Sequence, residues 1–127
     1  MLFRSLAYTI AAEIGDISRF ASPRKLVGYS GLCPRVDQSG ERDRRGRLRK
    51  NGPTYLRWAL VEAAHGGLRW HQPYRELAER MRARHGKSRG TTIAVIEVAR
   101  RQTQAIWHML SNDQPFAPAG APLRLAA

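Results

Sequence analysis

The chain has 127 residues, 43% of them hydrophobic, and 22 Lys and Arg against 10 Asp and Glu give a net charge of +12. That is one domain's length with enough apolar content for a core, which excludes a purely disordered basic tail, and no apolar run approaches the roughly 20 residues of a bilayer span. The lone Cys33 excludes an intrachain disulfide scaffold and fits a reducing cytosol; Met1–Ser5 opens no signal-like apolar stretch, and the surplus cations point to DNA, RNA or an acidic surface.

Leu6, Ile10 and Ile14 recur every fourth residue and Gly15 offers a stop, which predicts a short amphipathic helix. Ser22-Pro23 has the form of an N-cap followed by a first-turn proline, predicting a second helix to about Tyr29 that Gly31 and Pro34 end. From Pro34 to Gly52 the helical period is lost. Val36 and Leu48 are the only large aliphatics there, so a basic hairpin or an extended loop is expected. Helical pattern resumes at Pro53, with Leu56, Leu60 and Ala63 on one face and Gly66-Gly67 closing it. Pro73 opens another helix through Tyr74, Leu77 and Met81, closed by Gly86. The longest pattern follows Gly90: Ile93, Ile96, Ala99, Thr103, Ile106 and Leu110. Pro115, Pro118, Pro122 and small residues then predict a flexible tail. The expectation is a mainly α fold: one domain over 1–110, a tail over 111–127, and an Arg-rich loop or hairpin inserted among helices too short to stand alone.

The densest charge lies at 42–50, where Arg42, Arg44, Arg45, Arg47, Arg49 and Lys50 make six of nine residues cationic. Arginine grips phosphate in a bidentate fork at any relevant pH. Neutralising six phosphates gives a slope of log K against log salt of roughly −5. A solvated surface loop is the alternative. A second group, Arg80, Arg82, Arg84, Lys87 and Arg89, straddles a predicted helix end. It reads equally as charge complementing a helix dipole or as a second backbone-contact strip. Trp58, Trp70 and Trp107 occupy helical positions, which suits core packing as well as base stacking. His65, His71, His85 and His108 lack metal-ligand spacing, and Glu13, Asp16, Glu62, Glu76, Glu79 and Glu97 fall on predicted helices or their ends, so no metal site is expected. Ser39-Gly40 precedes the arginines and reads most simply as a turn. A serine hydroxyl can also attack a phosphodiester if a base removes its proton and cations stabilise the developing charge, but the spacing identifies no base.

Ala12-Glu13-Ile14-Gly15-Asp16-Ile17-Ser18-Arg19-Phe20 resembles a signature AEIGDIxRF, Gly28-Tyr29-Ser30-Gly31-Leu32-Cys33-Pro34 resembles xYxGLxP, and Lys50, Gly52, Leu56 and Arg57 match KxGxxxLR, followed by Val61-Glu62-Ala63-Ala64. These linked motifs are similar to those of the IS-one-ten type, or DEDD, insertion-sequence transposases, and the likeness covers about residues 7–110. The resemblance implies a two-part enzyme. A RuvC-like domain holds Mg²⁺ on four acidic residues, and a C-terminal domain supplies a serine nucleophile. Members cut and rejoin DNA, some guided by a structured RNA. The family's serine falls on Ser39. Arg42, Arg44, Arg45, Arg47, Arg49 and Lys50 then become phosphate contacts, and Gly40 and Gly52 turn residues. Arg57 becomes a phosphate ligand or, equally, one half of a helix-to-loop salt bridge.

No counterpart of the RuvC-like domain is present, so the resemblance assigns no cofactor to this chain and leaves Mg²⁺ with that missing domain. Met1–Ser5 stands where members carry a P-G-[IV]-G hairpin. The expectation is an N-terminally truncated transposase C-terminal domain from a decayed or frame-shifted element, inert in isolation. The alternative is a non-catalytic basic nucleic-acid binder. The implied partners are DNA, a guide RNA, and a second copy or a full-length transposase. No membrane is among them, and the implied setting is a bacterial cytoplasm with nucleoid association.

Overall fold

A computed structural model of the chain describes residues 2–32, 34–39, 42–48 and 53–113, with side chains described over 5–32 and 53–113. The fold is mainly α, as the sequence predicts. Five helices, α1 (Leu2–Ile14), α2 (Pro23–Ser30), α3 (Thr54–Trp70), α4 (Gln72–His85) and α5 (Lys87–Asn112), frame one antiparallel pair of strands, β1 (Pro34–Ser39) and β2 (Arg42–Leu48). A single 3-10 turn, Ile17–Arg19, joins α1 to α2.

Local chemistry fixes the first two helices. α1 buries the predicted stripe of Leu6, Ile10 and Ile14, and Gly15 ends it with a left-handed φ of 66° that a side chain would resist. Ser22 caps α2, its hydroxyl accepting the Lys25 N–H at 3.3 Å, and Pro23 occupies the first turn. Gly31 closes α2 at φ 78°. The 26-residue α5 is the spine of the molecule, packing on α2, α3, α4 and the 3-10 turn. Ile14, Leu26, Leu32, Leu56, Leu60 and Val98 form the fully buried centre of the core. The buried hydroxyls of Ser30 and Thr103 donate to Val27 O and Ala99 O, both at 2.7 Å, so neither polar group is stranded.

Three boundaries differ from the sequence pattern. Gly66-Gly67 does not end α3, which runs on to Trp70. A Cβ at Gly67 would meet the end of the Gln102 side chain, whose Nε2 donates to Ala63 O at 3.2 Å, so a larger residue there would displace that amide. α5 starts at Lys87, not after Gly90, and Gly90 is a buried contact point. A Cβ on it would lie 2.5 Å from both Arg82 Cα and Met81 O, so the bare backbone lets α4 and α5 close on each other. At the other end α5 continues through Ser111 to Asn112, past the predicted start of the tail; residues 114–127 lie outside the described residues.

Candidate nucleic-acid interface

The arginine-rich segment forms a two-stranded antiparallel ribbon. Its register pairs Ser39 with Arg42, Gln38 with Asp43, Asp37 with Arg44 and Val36 with Arg45. Ser39–Arg42 and Asp37–Arg44 thus alternate along the ladder with Gln38–Asp43 and Val36–Arg45. Pro34 pairs with Leu48, so three steps on β2 meet two on β1 and a bulge falls at Gly46-Arg47. Arg49, Lys50, Gly40 and Gly52 lie outside the described residues.

Among the described residues neither strand packs substantially on any helix. The ribbon is instead held at its base. Leu32, fully buried, precedes β1, and Arg100 of α5 donates its Nε to the Leu32 carbonyl at 2.6 Å. Glu97 holds Arg100 in place, its carboxylate 3.3 Å from Nη1. After the ribbon, the Pro53 carbonyl accepts the Arg57 N–H at 3.2 Å and α3 begins. Arg57 lies half-buried in this first turn, and its Nη1 is buried without a hydrogen-bond partner among the described residues.

The segment 12–20 is scaffold. Asp16 caps the 3-10 turn by accepting the Ser18 N–H at 2.9 Å, which holds its carboxyl below the usual carboxylate range. Arg19 donates to Ile14 O at 2.6 Å, and its guanidinium lies 5.1 Å from the Phe20 ring centre and 5.5 Å from that of Tyr29. The family model for the transposase IS116/IS110/IS902 family matches residues 4–79, from α1 through the ribbon and most of α4. The chain belongs to that family.

Relatives of this family align over most of the chain. A "Probable family 20 transposase" of Pseudomonas aeruginosa is 27% identical over 88% of this chain and 33% of its own length. The transposase for insertion sequence element IS1111A of Coxiella burnetii is 26% identical over 87% of this chain and 30% of its own. An insertion element IS116 protein of Streptomyces clavuligerus is 27% identical over 90% and 28%. The chain therefore spans about a third of the length of these relatives.

The remaining candidates sort by environment. Trp107 is half-buried and donates its Nε1 to Phe20 O at 3.0 Å, a packing role. Trp58 and Trp70 are exposed, at 50% and 75%, and do not belong to the core. Among the described residues no three His, Cys, Asp or Glu side chains converge where they could hold a metal ion. No helix is long and apolar enough to cross a membrane. Sequence reasoning missed Arg19 and Arg100 as anchors. Arg19 stands inside the signature, where it could have been found, whereas Arg100 reaches a carbonyl 68 positions away.

Proposed function

We propose that the chain is the DNA-binding, serine-bearing part of a transposase and works together with a separate metal-binding domain. The observation that carries this reading is the pairing of Ser39 with Arg42 at the end of an arginine-rich ribbon. A nucleophilic hydroxyl and a permanent cation directly across the ladder suit attack on a phosphodiester, where charge grows on the phosphoryl oxygens. Ser39 Oγ bonds to phosphorus, the scissile P–O bond breaks, the Ser39 proton goes to a base, and the leaving oxygen is protonated. One phosphodiester is exchanged for another, which conserves the bond for rejoining.

Arg42, Arg44, Arg45 and Arg47 hold the DNA backbone, with Arg49 and Lys50 continuing the run. A two-stranded ribbon is narrow enough for the major groove, and contacts to phosphate position the duplex without selecting sequence. Arg57 supplies one further phosphate ligand from the first turn of α3, its orphaned Nη1 being a donor that an anion would satisfy. A structured RNA and a second copy or full-length transposase complete the assembly.

The test combines the chain with a RuvC-like domain, Mg²⁺ and the element's RNA on duplex DNA. A covalent protein–DNA adduct is expected at Ser39, absent in Ser39→Ala although DNA affinity changes little. An adduct that persists in Ser39→Ala, or maps to Ser30 or Tyr29, would overturn the assignment. No adduct in the complemented wild type, with DNA binding intact, would favour the non-catalytic binder.

A further inference from the structure

A second cationic surface stands at the α4–α5 turn. Residues 80–89 contain five Arg and Lys and no acid, and Arg80, Arg82, Arg84, Lys87 and Arg89 are all exposed. Among the described residues none of the five meets a carboxylate, whereas Arg100 and Arg101 both pair with Glu97. The turn is stiffly built. Gly90 brings the α5 backbone against Arg82, Arg82 Nε donates to Thr91 Oγ1 at 2.9 Å, and Thr91 Oγ1 donates to Lys87 O at 2.6 Å.

Helix electrostatics accounts for two of these five charges. Arg82 and Arg84 occupy the last turn of α4, where cations complement the helix dipole. Lys87 and Arg89 occupy the first turn of α5, where the dipole is positive and no acid or side-chain cap offsets it. Cations at a helix N-terminus oppose the fold, so their presence calls for an anion. An anion there would meet free backbone N–H groups as well as side chains from two helices.

We propose that the α4–α5 turn is a second contact surface for the backbone of duplex DNA, separate from the ribbon. Arg89 lies eleven residues before Arg100, the anchor of the ribbon's base, or about 16 Å along α5. That is the rise of about five base pairs at 3.4 Å per step, so one duplex can reach both surfaces. That bridging rests on the ribbon's contact with DNA; the turn's own affinity does not.

The experiment measures binding of the full chain to a 20-base-pair DNA duplex by fluorescence anisotropy between 50 and 200 mM salt. Arg80, Arg84 and Arg89 all changed to Ala should flatten the slope of log K against log salt by about 2.7, at 0.9 per phosphate contact. The pair Lys87→Gln and Arg89→Gln should flatten it by about 1.8 and also raise Tm, because it relieves repulsion at the start of α5. This combination of better folding with weaker binding is not what a structural role would give. An unchanged slope in both variants, or a fall in Tm for the Lys87/Arg89 pair, overturns the proposal. A loss seen with an RNA duplex and not with DNA overturns it too. Ribbon variants measured in parallel keep the two readings apart, since either surface can lose its slope without the other.

Discussion

Trp107 Nε1 donates to the Phe20 carbonyl at 3.0 Å across 87 positions of sequence, tying the last third of α5 to the end of the 3-10 turn, inside the segment 12–20. Phe20 in turn packs on Tyr29, ring centres 5.0 Å apart, so α5, the 3-10 turn and α2 meet at one polar bond. Trp107→Phe keeps an aromatic side chain, deletes the donor and trims the indole to a single ring. It should cost about 1 kcal/mol, read from the urea midpoint at unchanged m. An unmoved midpoint would mean water replaces the indole without loss.

Gly90 and Gly28 make opposite forecasts for one substitution. Gly90→Ala places a methyl 2.5 Å from backbone atoms of Met81 and Arg82, which cannot rotate away, so the α4–α5 pair must separate. A loss of about 1–3 kcal/mol is expected. Gly28 sits within α2 with open space where its Cβ would be. Gly28→Ala should therefore stabilise by about 0.5–1 kcal/mol through helix propensity. Thermal melts of the two variants should move to opposite sides of the wild type.

Much of this fold is legible because its ends are written locally. Ser22-Pro23, Gly15 and Gly86 each carry their boundary in their own backbone preferences, and the caps stand where the pattern puts them. Gly66-Gly67 has the same composition as a stop and is none: α3 runs on to Trp70, and Gln102 from another helix packs over Gly67. No window around residue 67 contains that partner. The candidate site divides in the same way. An arginine-rich hairpin is readable from the loss of helical period, but the placing of Ser39 opposite Arg42, and of Val36 opposite Arg45, depends on register. Low apolar content leaves register weakly specified in the sequence.

Asp16 makes a pH-dependent contribution. Its folded pKa is depressed because the carboxylate accepts the Ser18 N–H and lies near Arg19. The sign follows: its stabilisation is complete above the unfolded value, near 3.9, and is lost as pH falls through the lower folded value. Carboxyl NMR should place Asp16 below an unstructured aspartate, and Asp16→Asn should remove the acid-side loss assigned to this residue.

Changing Arg44, Arg45 and Arg47 together to Ala should flatten the salt dependence of DNA binding by about 2.7, three phosphate contacts at 0.9 each. Circular dichroism should be unaffected, since the ribbon packs on no helix among the described residues. A slope equal to that of wild type would make the ribbon a solvated surface.

Arg57 has a buried Nη1 with no partner among the described residues. Arg57→Met keeps the aliphatic stem and removes the orphaned Nη1. The variant should melt higher, because an unpaired buried donor is costly, while its DNA affinity falls. A lower Tm with unchanged affinity would make Arg57 a structural residue after all.

Among the described residues, the helical body holds the two flanks of the ribbon at Leu32, clasped by Arg100, and at Pro53 at the head of α3. The strand pair β1–β2 can therefore be treated as exchangeable cargo. The body can fold around the same two attachment points whatever the ribbon's length or charge pattern, so the surface offered to a target can diversify without renegotiating the core. Transplanting this segment between relatives should carry salt dependence with the graft and leave the melting temperature with the recipient.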